Sequence, residues 1–323
     1  MILPTPFKPN FFIKNRHIQT LFATFFRKPK KTKLHIENFY LKDGDFVETL
    51  WQKEGLESNK PIVILFHGLA GSIKSPYMRG IINALQSNGF ASILMHFRGC
   101  GKEPNLLPRA YHSGDTADAK EFIIYLKEKY PSSPLYAVGF SIGGNMLLKL
   151  LGEWAESSLL DRAVSISAPM SLDISADTIE KGFAKIYQSY LLKPLNQTLL
   201  DKYKKFDMKS ILGIDESRVK KIKTIREFDE LYTAKIHGFK SSKDYYTRCS
   251  AKQFLKDIRV PTLIIHALDD PFMTPQILPT KDEISNFIIL DISQYGGHVG
   301  FVGGELTKPK YWLEERILSF LIL

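Results

Sequence analysis

A single serine, Ser141, stands among glycines in the segment LYAVGFSIGGNML, residues 135–147. A serine hydroxyl becomes a useful nucleophile when a neighbouring base takes its proton and the backbone presents it to a carbonyl group. The pattern Gly-x-Ser-x-Gly suits a sharp turn between a strand and a helix, because bulky side chains two residues before or after the serine would collide in that turn. The segment therefore predicts a nucleophilic serine and, with it, acyl-transfer chemistry.

Candidate partners for this serine follow later in the chain. In a fold built around such a turn, the acid comes first in the sequence and the base comes second. His298 lies in a Gly-Gly-His loop after the last predicted strand and is the predicted general base. Two aspartates follow the preceding strand, and Asp270 is favoured over Asp269 as the orienting acid because it lies further beyond the strand end. Asp291 and Asp173 are more distant alternatives for the orienting acid. A carboxylate that only stabilises a turn or caps a helix would give the same sequence pattern at those positions.

Backbone N–H groups near the serine are candidates for binding the negatively charged oxygen of a tetrahedral intermediate. The loop HGLAG follows the predicted strand at residues 61–66, and the N–H groups of Leu69 and Ile142 are the predicted pair of donors. His67 comes too early in the chain order to be the base, so we predict a structural role for it. The same role is predicted for His96, His112, His237 and His266, while His17 and His35 lie too far upstream to interpret.

Motifs for other chemistries are missing from the sequence. It has no His-Glu-x-x-His pair, no phosphate-binding loop and no dinucleotide fingerprint, and Cys100 and Cys249 have no metal or redox spacing. We therefore expect no cofactor and no metal. The low cysteine count and the lack of a signal-peptide pattern predict a cytoplasmic protein, and no apolar run approaches the ~20 residues of a membrane span.

The elements that must position these residues alternate between short β-branched runs and amphipathic stretches, which predicts βαβ units. An antiparallel strand pair is predicted over 36–51, and a helix over 113–130 with Ser113 as its N-cap and Asp115 in its first turn. The predicted fold class is α/β, an α/β-hydrolase fold with a mostly parallel, doubly wound sheet. Its predicted parts are a basic N-terminal arm, a core and a helical lid insertion, at residues 1–34, 35–171 with 258–323, and 172–257.

The formal charge of +10 is unevenly distributed. Residues 1–34 carry +8, residues 171–260 carry +7, and the rest of the chain carries −5. In the arm, phenylalanines at 11, 12, 22, 25 and 26 are interleaved with the cations Lys14, Arg16, Arg27 and Lys28. This mixture suits peripheral contact with an anionic membrane surface or anionic esters, although the arm could instead pack on the body of the protein. No recognition motif for nucleic acid accompanies the basic charge, so nucleic acid is not an expected partner.

Several longer motifs resemble the YheT-like α/β-hydrolases, a branch related to abhydrolase-domain lipases and yeast ethanol acyltransferases. The resemblance covers nearly the whole chain, and its motifs are KNRHIQTLFATFFR (14–27), FHGLAGS (66–72), HFRGCGKEPNLLPRAYHSGDTAD (96–118), VGFSIGGNMLLK (138–149), FDELYTAKIHGFKSSKDYY (228–246), LIIHALDDPFM (263–273) and GGHVGFVGG (296–304). The resemblance implies nucleophile, acid and base roles for Ser141, Asp270 and His298. Gly101 and Lys102 depart from the serine-glycine pair expected there, which affects no catalytic position.

These observations predict a serine hydrolase that cleaves carboxylic esters through an acyl-enzyme, with a small-molecule ester carrying a hydrophobic acyl group as substrate. An acyltransferase that passes the acyl group to an alcohol would use the same triad, so motifs do not separate the two. A non-catalytic binding protein is a third reading, which an intact triad disfavours. The sequence does not indicate the oligomeric state.

Overall fold

A nine-stranded sheet forms the centre of the computed structural model, which describes residues 2–4, 7–28, 30, 32–54, 56 and 59–323. The strands are β1 (Ile2–Pro4), β2 (His35–Tyr40), β3 (Phe46–Gln52), β4 (Ile62–Phe66), β5 (Ala91–Met95), β6 (Leu135–Phe140), β7 (Arg162–Ile166), β8 (Thr262–Ala267) and β9 (Ile288–Ser293). Their order across the sheet is β1-β9-β8-β7-β6-β4-β5-β3-β2. The pairs β2–β3 and β3–β5 are antiparallel and the other pairs are parallel. The predicted mostly parallel sheet is confirmed.

The central strands are buried on both faces, which explains their continuous runs of apolar residues. Every residue of β4 and β5 is buried, and one hydrophobic cluster lies on each side of the sheet. Helices cover both faces: α1 (Arg16–Phe26), α2 (Pro76–Ser87), α3 (Ala117–Lys129), α4 (Ile142–Trp154) and α12 (Trp312–Leu321). Because connections of parallel strands run through these helices, the ends of β6, β8 and β9 meet at one edge of the sheet.

The helix predicted over 113–130 begins later than expected. α3 starts at Ala117 with Thr116 as its N-cap, so the prediction of Ser113 as the cap was wrong. The Ser113 backbone instead makes long-range contacts, since its N–H donates to Tyr245 Oη at 2.9 Å and its carbonyl accepts from Asn145 Nδ2 at 2.8 Å. A short hairpin, β10 (Val302–Glu305) and β11 (Lys308–Tyr311), was not predicted either.

The segment between β7 and β8 is helical, as its sequence pattern indicates. Its helices are α5 (Leu172–Ile179), α6 (Ala184–Tyr203), α7 (Met208–Leu212), α8 (Glu216–Val219), α9 (Ile225–Phe228), α10 (Ala234–Ile236) and α11 (Ser242–Cys249). It has a hydrophobic cluster of its own, which includes Leu199, Met208 and Val219. Polar contacts join it to the 96–118 loop; among them, Lys202 Nζ donates to Asn105 Oδ1 at 2.8 Å, and Tyr232 Oη donates to the Pro108 carbonyl at 2.8 Å.

The N-terminal arm packs in part on the body of the protein. β1 pairs with the edge strand β9, and α1 buries Phe22 against Ile13 and Val302. Arg27 forms an ion pair with Glu314 and lies 3.8 Å above the Tyr311 ring. Phe22 and Arg27 are therefore not available to contact a membrane. The sequence pattern groups both with the residues expected at a membrane surface, and for these two that grouping was wrong.

In the part of the chain that the structure describes, no helix has the length and apolar character needed to cross a membrane.

Candidate active site

Ser141 occupies the turn between β6 and α4. Its backbone has φ +53° and ψ −122°, a strained conformation for a residue with a side chain. The Ser141 N–H donates to the Ile166 carbonyl at 2.8 Å, which holds the turn against β7. A Cβ atom at Gly143 would come within 2.6 Å of the His67 carbonyl oxygen, so only glycine fits there. The glycine pattern around the serine is thus explained by close backbone contact.

A continuous line of hydrogen bonds connects Ser141 to a buried carboxylate. His298 Nε2 lies 3.0 Å from Ser141 Oγ, and His298 Nδ1 lies 2.8 Å from Asp270 Oδ2. Asp270 is 1% exposed, and its Oδ1 accepts from the Phe272 N–H at 2.9 Å. The Phe272 ring stacks on the imidazole with centroids 4.2 Å apart. The predicted serine, aspartate and histidine are therefore brought together, and packing limits the imidazole to one orientation.

Asp269 has a different partner from Asp270. Its Oδ1 accepts from the Gly297 N–H at 2.9 Å, one residue before His298. Burial raises the pKa of Asp269, and the negative charge of Asp270 acts in the same direction, whereas the hydrogen bond from Gly297 lowers it. Asp269 thus contacts the backbone of the histidine loop and not the imidazole. The alternatives Asp291 and Asp173 pair instead with Arg316 and Arg226, at 2.8 Å each.

The loop before α2 lies against the serine turn, since a Cβ atom at Gly68 would come within 3.2 Å of Ser141 Cβ. The His67 ring is buried and braces this loop: Nδ1 donates to the Gly68 carbonyl at 2.7 Å and Nε2 accepts from the Phe97 N–H at 3.1 Å. Burial lowers the pKa of His67 to about 3, so the ring is neutral. Tyrosine hydroxyls accept from Gly68 N and Ala70 N, at 3.1 Å and 2.9 Å. The N–H of Leu69, between them, donates no hydrogen bond within the described residues.

Ile142 is the first residue of α4, so its N–H has no acceptor inside the helix. A helix N-terminus attracts negative charge through such groups. Both predicted oxyanion donors, Leu69 and Ile142, thus have N–H groups that are not used by the fold within the described chain.

The N-terminal arm contributes contacts that the sequence analysis missed. Thr20 Oγ1 accepts from the His298 N–H at 2.9 Å while donating to the Arg16 carbonyl at 2.8 Å. Gln19 is fully buried and bonds both the N–H and the carbonyl of Val302, at 2.7 Å and 2.9 Å. Helix α1 therefore supports the histidine loop at His298 itself and at Val302, four residues further along the chain. The polar pair Gln19-Thr20 within an amphipathic helix is the signal that could have pointed to this.

Two helices of the segment between β7 and β8 approach the same loop. Tyr187 of α6 packs on Phe272 with centroids 5.0 Å apart, and its hydroxyl lies 3.1 Å from His17 Nδ1. Ser175 of α5 donates to the Phe272 carbonyl at 3.2 Å. Phe272 is thus held between His298 on one side and these helices on the other.

Comparison with known proteins gives a consistent picture. Residues 61–291 match the family described by the alpha/beta hydrolase fold. YheT of Escherichia coli (strain K12) is 42% identical over 308 residues, which cover 95% of this chain and 90% of that protein. Phospholipase ABHD3 of Bos taurus is 28% identical, covering 94% of this chain and 75% of its own length. Among solved structures, the Pyrococcus furiosus esterase Pf2001 has a TM-score of 0.59 at 18% identity, covering 99% of this chain and 98% of its own, which shows a shared fold. The chain belongs to the α/β-hydrolase family and, within it, to the YheT-like branch.

Proposed function

We propose that the protein hydrolyses carboxylic esters with Ser141 as the nucleophile, His298 as the general base and Asp270 as the orienting acid. The observation that carries this proposal is the line of hydrogen bonds from Ser141 Oγ through His298 to Asp270, with separations of 3.0 Å and 2.8 Å. The relative named as a phospholipase supports the same chemistry.

The mechanism follows from the position of each group. Ser141 Oγ attacks the ester carbonyl while its proton passes to His298 Nε2, and Asp270 stabilises the imidazolium that forms. The N–H groups of Leu69 and Ile142 bind the oxyanion of the tetrahedral intermediate. The intermediate collapses as the C–O bond to the alcohol breaks, and the Nε2 proton goes to the departing alcohol. Water then attacks the acyl-enzyme by the same proton route and releases the carboxylic acid.

A fluorophosphonate probe and an ester panel of graded acyl length test this proposal. We expect Ser141→Ala to lose probe labelling and to lower kcat by several orders of magnitude, as triad serines do. Ser165→Ala is the matched control, because Ser165 Oγ is buried on the neighbouring strand β7 and has no hydrogen-bond partner among the residues that the structure describes. Labelling of the Ser141→Ala protein at the wild-type level would contradict the assignment. The same panel with added alcohols measures how the acyl-enzyme divides between water and alcohol, and a transferase is expected to form mainly the new ester.

We infer further that residues 172–257 act as a lid over Ser141. The contacts of Tyr187 and Ser175 with Phe272, which itself stacks on His298, support this role. A Tyr187→Ala change is expected to alter KM for long-chain esters more than for acetyl esters. Equal effects on both chain lengths would argue against a lid.

We propose, finally, that an anionic lipid surface presents the substrate. Exposed apolar side chains on the arm and on the first turns of α6 form what we call the aromatic patch: Phe11, Phe12, Ile18, Phe25, Phe26, Phe183, Ile186 and Tyr190. The two parts adjoin, since the rings of His17 and Phe183 are 4.4 Å apart. Exposed cations lie close to the patch residues in the sequence, namely Lys14, Arg16, Lys28, Lys181, Lys185 and Lys193, and residues 181–200 include no acidic residue. Embedded aromatics with neighbouring cations are typical of a membrane-surface contact.

A further inference from the structure

A second group of ionisable side chains lies where the core meets the segment between β7 and β8, and the proposed mechanism does not use it. His112 and Asp115 belong to the loop before α3, whereas His237 follows α10. One potential ligand atom from each side chain lies within 4.8 Å of the other two. Distant parts of the chain therefore place two imidazoles and one carboxylate around a common point.

Two atoms of this group are buried without a hydrogen-bond partner among the described residues. They are Asp115 Oδ2 and His237 Nε2, and the Asp115 residue as a whole is 8% exposed. Buried polar atoms in folded proteins nearly always have a partner, so each exception calls for a physical reason. A cation between the side chains would satisfy both atoms at once.

Two existing contacts bear on the ligand atoms of this group. His112 Nδ1 accepts from the Gly114 N–H at 3.2 Å, so Nε2 is the ring atom of His112 that is open to an ion. Arg109 Nη1 lies 3.6 Å from Asp115 Oδ2, beyond hydrogen-bond distance. Arg109 also pairs with Asp43 and Asp118, at 3.2 Å and 3.4 Å, and so keeps its partners if Asp115 binds another cation.

We propose that His112, Asp115 and His237 bind a zinc ion that joins residues 172–257 to the core. Two imidazole nitrogens and a carboxylate oxygen are a donor set that Zn²⁺ accepts, with a fourth position for water. Donor atoms around a tetrahedral ion with bonds of ~2.0–2.1 Å lie roughly 3.4 Å apart. The candidate atoms lie within 4.8 Å of one another, so binding of the ion requires them to approach to that spacing.

The position of this site suggests a structural role. Asn145 of α4, the helix that follows Ser141, donates to the Ser113 carbonyl at 2.8 Å and to the Cys249 carbonyl at 2.9 Å. Ser113 follows His112 directly, and Cys249 Sγ lies 3.8 Å from His112 Nδ1. An ion at this point would therefore hold together the loop, the inserted helices and the N-terminal half of α4.

Isothermal titration of the chelator-treated full chain with Zn²⁺ tests the proposal directly. We expect one ion per chain and a Tm that rises by a few degrees with Zn²⁺, because a ligand that binds only the folded state stabilises it. His237→Gln and Asp115→Asn are each expected to weaken binding at least tenfold. His35→Gln, which changes an exposed histidine on the edge strand β2, should bind as the wild type does.

Circular dichroism and fluorophosphonate labelling show whether each variant is folded. If a variant is misfolded, Co²⁺ bound to the wild-type chain provides the decisive measurement, because tetrahedral nitrogen and oxygen coordination gives intense d–d absorption. The proposal is overturned if the wild type binds no stoichiometric Zn²⁺, if Co²⁺ shows only octahedral absorption, or if folded His237→Gln and Asp115→Asn proteins bind Zn²⁺ as tightly as His35→Gln does.

Discussion

Asp269 and Asp270 are neighbouring carboxylates that bind different parts of the same loop. Asp270 Oδ2 contacts the His298 imidazole at 2.8 Å, whereas Asp269 Oδ1 accepts from the Gly297 N–H at 2.9 Å. One carboxylate thus orients the ring and the other supports the backbone that carries it. The two roles differ in how much they depend on negative charge, because only the first stabilises an imidazolium.

This difference predicts unequal effects of the two amide substitutions. We expect Asp270→Asn to lower kcat by about 10³–10⁴-fold, because an amide can favour the wrong imidazole tautomer. Asp269→Asn should keep a substantial fraction of the activity, since an amide oxygen can still accept from Gly297. Steady-state kinetics on one soluble ester measures both, and the opposite ranking would make Asp269 the acid.

Thr20 is predicted to be a positioning residue for His298. Thr20→Val removes the oxygen that accepts from the His298 N–H, and the loss of one such hydrogen bond is worth about 0.5–1.5 kcal/mol, or roughly 2–10-fold in kcat. Thr20→Ser restores the oxygen and should restore kcat. Unchanged KM in both variants would separate positioning from substrate binding, and a Thr20→Ser protein as slow as Thr20→Val would contradict the prediction.

At the scale of elements, the aromatic patch combines residues of the N-terminal arm, including α1, with residues of the first turns of α6. Membrane binding should therefore depend on both parts. Phe25 is 70% exposed on α1 and Tyr190 is 77% exposed on α6. We expect Phe25→Ser/Tyr190→Ser to reduce co-sedimentation with phosphatidylglycerol vesicles severalfold without changing hydrolysis of a short soluble ester. The double substitution removes exposed aromatic side chains that we expect to insert into the membrane surface.

The matched control is Ile36→Ser/Tyr40→Ser, which changes two exposed apolar residues on the edge strand β2. Binding to anionic vesicles should also weaken as salt shortens the screening length from ~30 Å at 0.01 M to ~8 Å at 0.15 M, whereas phosphatidylcholine vesicles should show little change. Hydrolysis of an anionic ester should likewise slow as salt is added, whereas hydrolysis of a neutral ester of equal acyl length should change little. If the β2 variant loses binding equally, or if salt has no effect, the patch is not the docking surface.

For the whole molecule, buried histidines predict sensitivity to acid. Burial lowers the pKa of His67 to about 3 and the pKa of His96 and His266 to about 4, below the ordinary value of 6.5. Between those values and 6.5 the unfolded chain binds more protons than the folded chain does. The free energy of unfolding should therefore fall as pH drops through this window, by up to about 1.4 kcal/mol per pH unit for each histidine.

Buried acids act in the opposite direction. Burial raises the pKa of Asp229 to about 6 and also raises the pKa of Asp269, so in the folded chain these groups take up a proton before they do in the unfolded chain, and stability rises as pH falls. We expect the three histidines to outweigh these acids, so urea unfolding at pH 7 and pH 5 should show lower stability at pH 5. His96→Gln should show a smaller difference between the two pH values than the wild type. Equal stability at both values would contradict the predicted protonation states.

Much of this fold could be predicted because its signals are local in the sequence. The turn at Ser141 could be predicted because the glycines at 139 and 143 are required by close contact with backbone atoms of the same turn and of the adjoining loop. Continuous apolar runs indicate buried parallel strands, so the strand predicted at residues 61–66 is observed as β4 over Ile62–Phe66. His298 could be proposed as the base because it follows the last strand of the sheet, where the chain order of this fold places the histidine. The α/β class and the YheT-like family thus came from the sequence, and the comparisons confirm both.

The sequence by itself therefore determined the sheet, the serine turn and the small set of residues from which the site is built. Only the tertiary structure decided which of two adjacent aspartates contacts the imidazole, which arm residues support the histidine loop, and how His112, Asp115 and His237 come together. Those features are contacts between residues far apart in the chain. Their formation depends on how the helices pack on the sheet. The spacing of residues in the sequence does not tell in which direction a side chain at the end of a strand will point.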